Sequence, residues 1–261
     1  ARGYQMATSS GATMAFTGSI ATTDQTQSII NNNGNGSGGR RWNLVANPFP
    51  SYLNANTNAH ASNNFLSVNA SVIDSNFLSI YGWDADGSGY TIYNNTSSAT
   101  YIAPGQAFFV AAASSSAANL SFTEAMQTTT GGDDFINLDP GNTSSEFSLK
   151  FHQGDNLLAD TKFYFDYGLN PSLDPGYDAG AYNQTMALSS RLAEEDQGIN
   201  MSINAMNIDS FEQTTIPLVI NKEAGTTFRI SMEDSTIPES VDVFLLDTQT
   251  QISTNLRGQD F

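Results

Sequence analysis

Short apolar runs that are repeatedly cut off by proline, glycine or asparagine constrain this chain more than any other feature. Trp42-Asn43-Leu44-Val45-Ala46 stops at Asn47-Pro48 and Pro50. Phe77 to Trp83 stops at the turn Asp84-Ala85-Asp86-Gly87-Ser88-Gly89, after which Tyr90-Thr91-Ile92-Tyr93 resumes. Tyr101-Ile102 runs into Pro104-Gly105, and Gln106 to Ala112 follows as a nearly continuous apolar strand, expected to be buried on both faces. Proline cannot donate to a strand ladder, and glycine supplies the positive φ of a type II turn. Such runs are the length of strands and too short for packed helices.

The remainder reads the same way. Tyr4 and Met6, then Met14, Phe16 and Ile20, suggest two strands ahead of the Gly/Asn-rich hairpin tip at 31–40. Trp42 sits inside an apolar strand and is expected in the core. Residues 51–75 are rich in Asn and Ala and fit either a short helix or an irregular loop. A polar, Gly-bearing stretch at 125–142 marks a domain boundary. Beyond it, Phe147, Leu149 and Phe151 fall on one face of a strand with period two. Strands are also expected at 161–167, 199–203, 216–220, 227–232, 241–246 and 250–256, with one or two helical turns at 186–196. The fold class is therefore all-β, two tandem antiparallel β-sandwich (jelly-roll/Ig-like) domains, at 1–130 and 140–261.

The chain has 26 acidic and nine basic residues, a net charge of −17 and no cysteine. No basic stripe exists to neutralise phosphates, which argues against nucleic acid. An anionic membrane surface is disfavoured for the same reason, and no apolar run is long enough for a membrane-spanning helix. Disulfides and thiolate chemistry are excluded. Acidity of this kind serves solubility or supplies ligands to a structural Ca²⁺.

In order, Trp42-Asn43-Leu44-Val45-Ala46-Asn47-Pro48-Phe49-Pro50, the Gly82-Trp83-Asp84 turn and Pro104-Gly105-Gln106-Ala107-Phe108-Phe109-Val110 resemble a recurring series. It is found in the paired β-domains near the C-terminal end of secreted Bacteroidetes proteins, especially flavobacterial ones. Leu173-Asp174-Pro175-Gly176-Tyr177-Asp178-Ala179, Ile216-Pro217-Leu218 and Val243 to Thr248 resemble the companion domain. Ala46 and Ala107 stand where the family commonly has glycine. The resemblance implies an extracellular or outer-surface location, normally upstream of a type IX secretion sorting domain, and implies no enzymatic activity. A closing strand is expected beyond Asp260-Phe261, so the second sheet is expected to carry an open edge that a neighbouring chain or sequence fills or that leaves it prone to association.

Three groups of residues carry possible chemistry. Asp84 and Asp86, two apart with Gly87 behind them, resemble part of a Ca²⁺ loop, or form an ordinary Asp/Gly hairpin turn. Asp166, Asp174 and Asp178 lie on or beside a long loop and could converge on Ca²⁺, or cap that loop themselves. Tyr81, Trp83, Tyr90 and Tyr93 lie across one hairpin; they could stack on sugar rings, with Asp84, Asn94 and Asn95 bonding hydroxyls, or plug the core. His60 and His152 have no metal-ligand spacing, Glu124, Glu146 and Glu194-Glu195-Asp196 make no convincing acid pair, and no nucleophile or phosphate motif is present. The expectation is a non-catalytic structural or adhesive module, with a carbohydrate-binding module as the alternative. Its expected partners are other domains of the same polypeptide, neighbouring subunits or a polysaccharide.

Overall fold

The structure is a computed structural model, and it describes residues 17–32, 41–83, 89–131, 145–210 and 214–261. The expected strands before residue 17, most of the 31–40 tip, Asp84 and Asp86, and most of the boundary segment lie outside the described residues. The chain divides into two compact units, Ala1–Asn142 and Thr143–Phe261. Among the described residues both units are built mainly from β-strands and the turns between them.

In the first unit the strands are β1 (Gln25–Ile29), β2 (Trp42–Ala46), β3 (Tyr52–Asn54), β4 (Ile80–Trp83), β5 (Tyr90–Tyr93), β6 (Tyr101–Ile102), β7 (Ala107–Ala111), β8 (Ala118–Phe122) and β9 (Gln127–Thr128). The ambiguous stretch resolves into β3 and one short helix, α1 (Phe65–Asn69), capped by Asn64, whose side chain accepts the Ser67 N–H. Phe77 closes a 3₁₀ turn instead of starting the strand. The strands form three small antiparallel sheets, ordered β1-β8, β2-β7-β4-β5 and β6-β3-β9. One core joins them: Ile29, Val45, Leu53, Phe65, Ile80, Ile102, Phe108, Val110, Leu120 and Phe122 pack together.

Two expectations need correction here. β7 is not sealed on both faces: Phe108, Val110 and Ala111 are buried, but Phe109 is half-buried. Trp42 is also half-buried, because period-two alternation puts it on the face opposite Val45. There it meets Tyr81 edge-on at 4.6 Å and Phe77 at 5.5 Å.

Short strands leave many backbone groups at their ends, and buried or half-buried asparagine amides take them up. Asn43 stands in for a strand: its Oδ1 accepts the Ile30 N–H and its Nδ2 donates to the Ile30 carbonyl, which ties the end of β1 to β2. Asn69 does the same for Ser121 of β8, accepting its N–H at 2.7 Å and donating to its carbonyl at 2.9 Å. Asn47, which ends β2, places Nδ2 within reach of the Ser51, Ile102 and Ala103 carbonyls while Oδ1 accepts from Phe49 N–H. Asn56 holds the carbonyls of Asn94, Ser97 and Ser98 and accepts from the N–H groups of Ala59 and Thr100.

In the second unit β10 (Ser145–Gln153), β11 (Asn156–Asp166), β12 (Ala179–Gly180), β13 (Leu188–Ser190), β14 (Met201–Asn207), β15 (Leu218–Ile220) and β16 (Arg229–Glu233) make one seven-stranded sheet. β17 (Phe244–Asp247) and β18 (Ile252–Asn255) form a separate hairpin. Phe147, Leu149, Phe151 and Phe163 face Ile237, Leu245 and Leu256 across the core.

The expected helical turns at 186–196 are absent: Leu188–Ser190 is instead strand β13, hydrogen-bonded between β14 and β15. The sheet is also not purely antiparallel. β11 and β14 run parallel, Lys162 opposite Ile203, as the long connection between them permits. The outer edge of β16 is occupied at Ile230, which exchanges both backbone hydrogen bonds with Phe261.

Gly105 sits at φ +71° in the turn that the Gln106 N–H to Ala103 carbonyl bond closes. Gly105→Ala should cost about 1–2 kcal/mol, because an L side chain is strained at that φ. Asn47→Ala should cost about 3 kcal/mol or more, since several buried backbone groups lose their partner together. Urea unfolding of both variants measures this order; an Asn47→Ala protein as stable as the parent would refute the bracing role.

Candidate functional site

The aromatic candidates lie on the four-stranded sheet of the first unit. In its register Trp83 stands opposite Tyr90, Tyr81 opposite Ile92 and, on the other side, Phe109. Successive side chains alternate between faces, so Trp42, Leu44, Phe109, Tyr81, Trp83 and Tyr90 share the face turned away from the core. Tyr93 points the other way and packs partly buried against the core, so it cannot join Trp83. Tyr81 is fully buried, and burial pushes its phenol pKa far above the ordinary value. Only Trp83 is exposed, at 46%. Tyr90 meets it edge-on at 5.2 Å, and Phe109 meets Tyr90 at 5.8 Å.

The sheet therefore offers one open indole propped by two half-buried rings, and not a platform of four. The amides expected beside it are engaged elsewhere. Asn94 is buried and accepts from Thr96, and the Asn95 side chain accepts the Thr57 N–H. At the far end of the face the Arg41 guanidinium pairs with Asp74 at 2.9 Å and lies over the Phe77 ring.

The acidic loop of the second unit has a different construction. Asp178 is fully buried; its Oδ1 accepts the Ala205 N–H of β14 at 2.7 Å and its Oδ2 the Asp174 N–H at 2.6 Å. Asp174 accepts from both the backbone and the side chain of Asn170. Asp166 accepts its neighbour's N–H, that of Tyr167, and the Tyr164 hydroxyl. Each carboxylate thus fixes backbone, and among the described residues no three acidic or imidazole groups are close enough to share a metal ion. Asp166 and Asp174 do border one cavity of about 240 Å³, with Tyr167, Leu169, Pro175 and Tyr177; Asp178 does not.

The histidines have local structural roles. His60 Nδ1 accepts the N–H groups of Ser62 and Asn63, and His152 Nε2 lies 3.6 Å from Glu233 on the sheet of the other unit. Sequence reasoning missed the buried asparagines. Their only signal was Asn in or next to short elements and turns, which solvated loops would also produce.

Burial raises the pKa of Asp178 from 3.8 to about 7, partly offset by the two N–H donors and reinforced by the charge of Asp174. The folded state then binds this proton more tightly than the unfolded chain. The resulting stability is complete below about pH 4 and is lost as pH rises through about 7. Thermal unfolding should therefore show stability falling from pH 5 to pH 8. Asp178→Asn should flatten that slope while lowering stability at pH 5 by about 1–2 kcal/mol, because one N–H donor then faces an amide NH₂. An unchanged slope would show that Asp178 is not the group responsible.

No curated protein and no solved structure matches the chain. A family model matches residues 1–261, its whole length. The chain belongs to the family described as "Domain of unknown function (DUF8693)".

Proposed function

We propose that this protein is a non-catalytic structural or adhesive module, built as two tandem β-sandwiches and carried outside a bacterial cell as part of a secreted or surface protein. The observation that carries this reading is the use made of the polar side chains. The half-buried amide of Asn43, the buried amides of Asn47, Asn56 and Asn69 and the carboxylate of Asp178 are all spent on holding backbone. Rigid loops on short sheets suit a spacer that must keep its shape between other modules. The resemblance of the ordered motifs to the β-domains of secreted Bacteroidetes proteins supports the location, and the acidic surface suits an exposed, soluble module.

One observation favours a second reading. Trp83 is a large ring left 46% exposed on a sheet face. An exposed indole propped edge-on by Tyr90 can stack on the apolar face of a pyranose, as a carbohydrate-binding module requires.

Affinity gels containing plant and algal polysaccharides separate the two readings. The structural reading expects no retardation by any of them. Retardation by one polysaccharide that Trp83→Ala abolishes, with the variant still folded, replaces it with glycan binding. Release of sugar or peptide fragments by the purified chain would overturn both.

A further inference from the structure

The second unit contains the cavity between the end of β11 and the loop that follows, bordered by Asp166, Tyr167, Leu169, Asp174, Pro175 and Tyr177. At about 240 Å³ it is smaller than the pockets that enclose drug-sized ligands. It has room for the end of one side chain or one small molecule. Its lining includes two carboxylates and no basic residue. Among the described residues neither Asp166 nor Asp174 belongs to an ion pair; both are held only by neutral N–H and O–H donors. An anion is therefore repelled.

Of the two lining tyrosines Tyr167 is open, while Tyr177 packs against Tyr164, Leu169 and Ala205. Tyr167 is 74% exposed at the mouth and Tyr177 is half-buried, while Leu169 and Pro175 add apolar wall. A hydrated metal ion gains little from two rings and a leucine, and among the described residues no third acidic or imidazole group stands close enough to join Asp166 and Asp174. An organic cation gains from every part: carboxylates meet its charge, ring faces its π-attraction, and Leu169 and Pro175 its methylenes. The walls are set in advance, because Asp174 N–H is held by Asp178 and Asp178 is held by Ala205 of β14.

We propose that this cavity binds an alkylguanidinium or alkylammonium group, the chemistry of an arginine or lysine side chain. The inference goes beyond the structural or adhesive reading and stands on a different unit from the Trp83 face, so either can fail alone.

The test is titration of the isotopically labelled full chain with L-argininamide, an arginine-containing tripeptide, L-citrullinamide and calcium chloride, followed by amide chemical shifts. Argininamide should produce saturable shifts at residues 166–178, weaker at high salt, that the uncharged citrulline compound does not. Tyr167→Ala and Asp166→Asn should each weaken binding by about fivefold or more while the chain stays folded. Tighter binding of the tripeptide would identify a polypeptide as the source of the cation, and equal affinity a free amine. Equal shifts with citrullinamide, shifts of these residues by calcium with none by argininamide, no shifts at all, or variants that bind like the parent would each overturn the proposal.

Discussion

Backbone hydrogen bonding at the ends of very short strands governs the first unit. Strands of two to five residues make few ladder bonds, and the groups just past their ends are buried by the turns that follow. An unpaired buried N–H or C=O costs roughly 1–3 kcal/mol, so leaving several open would cancel the gain from a modest core. Asparagine is the side chain that answers this, since its amide carries a donor and an acceptor in the geometry of a peptide group. Asn43 and Asn69 use both halves against single residues, Ile30 and Ser121; Asn43 so joins two sheets and Asn69 ties helix α1 to β8, in neither case by adding a strand. Separate sheets can then share one core.

The second unit meets the same constraint differently. Its strands β10 and β11 are long, and their ladder satisfies most of the backbone in a single sheet. The difficulty moves to the connection between the parallel strands β11 and β14, which must pass over one face of the sheet. A buried carboxylate anchors that loop to β14 through two N–H groups, one on the loop and one on the strand. Burying Asp178 makes its charge costly, which couples the loop to pH; the same anchoring leaves a preformed hollow beside Asp166 and Tyr167.

Much of the strand pattern was legible in the residues. Pro48, Pro50 and Gly105 end strands or make turns for reasons local to the backbone, and the alternation of Phe147, Leu149 and Phe151 reflects pleat geometry that any buried sheet imposes. The candidate sites were much less legible. Tyr81, Trp83, Tyr90 and Tyr93 look equivalent along the chain, yet register sends Tyr93 to the core, the Trp42 ring packs edge-on against the buried Tyr81, and Trp83 alone is left open. The acidic trio was seen as a group, but two members border a hollow and the third is sealed behind them.

By itself, then, the sequence determined the class of secondary structure, turns such as those at Pro48 and Gly105 and the exclusion of disulfide and thiolate chemistry, because each follows from covalent geometry or residue inventory. Only the tertiary structure decided which face each aromatic ring occupies, that β11 and β14 run parallel, and that asparagine amides bridge between sheets. Those outcomes depend on which distant backbone group a side chain meets. Residues such as Asn69 and Ser121 are far apart along the chain and carry no mutual signal until packing brings them together.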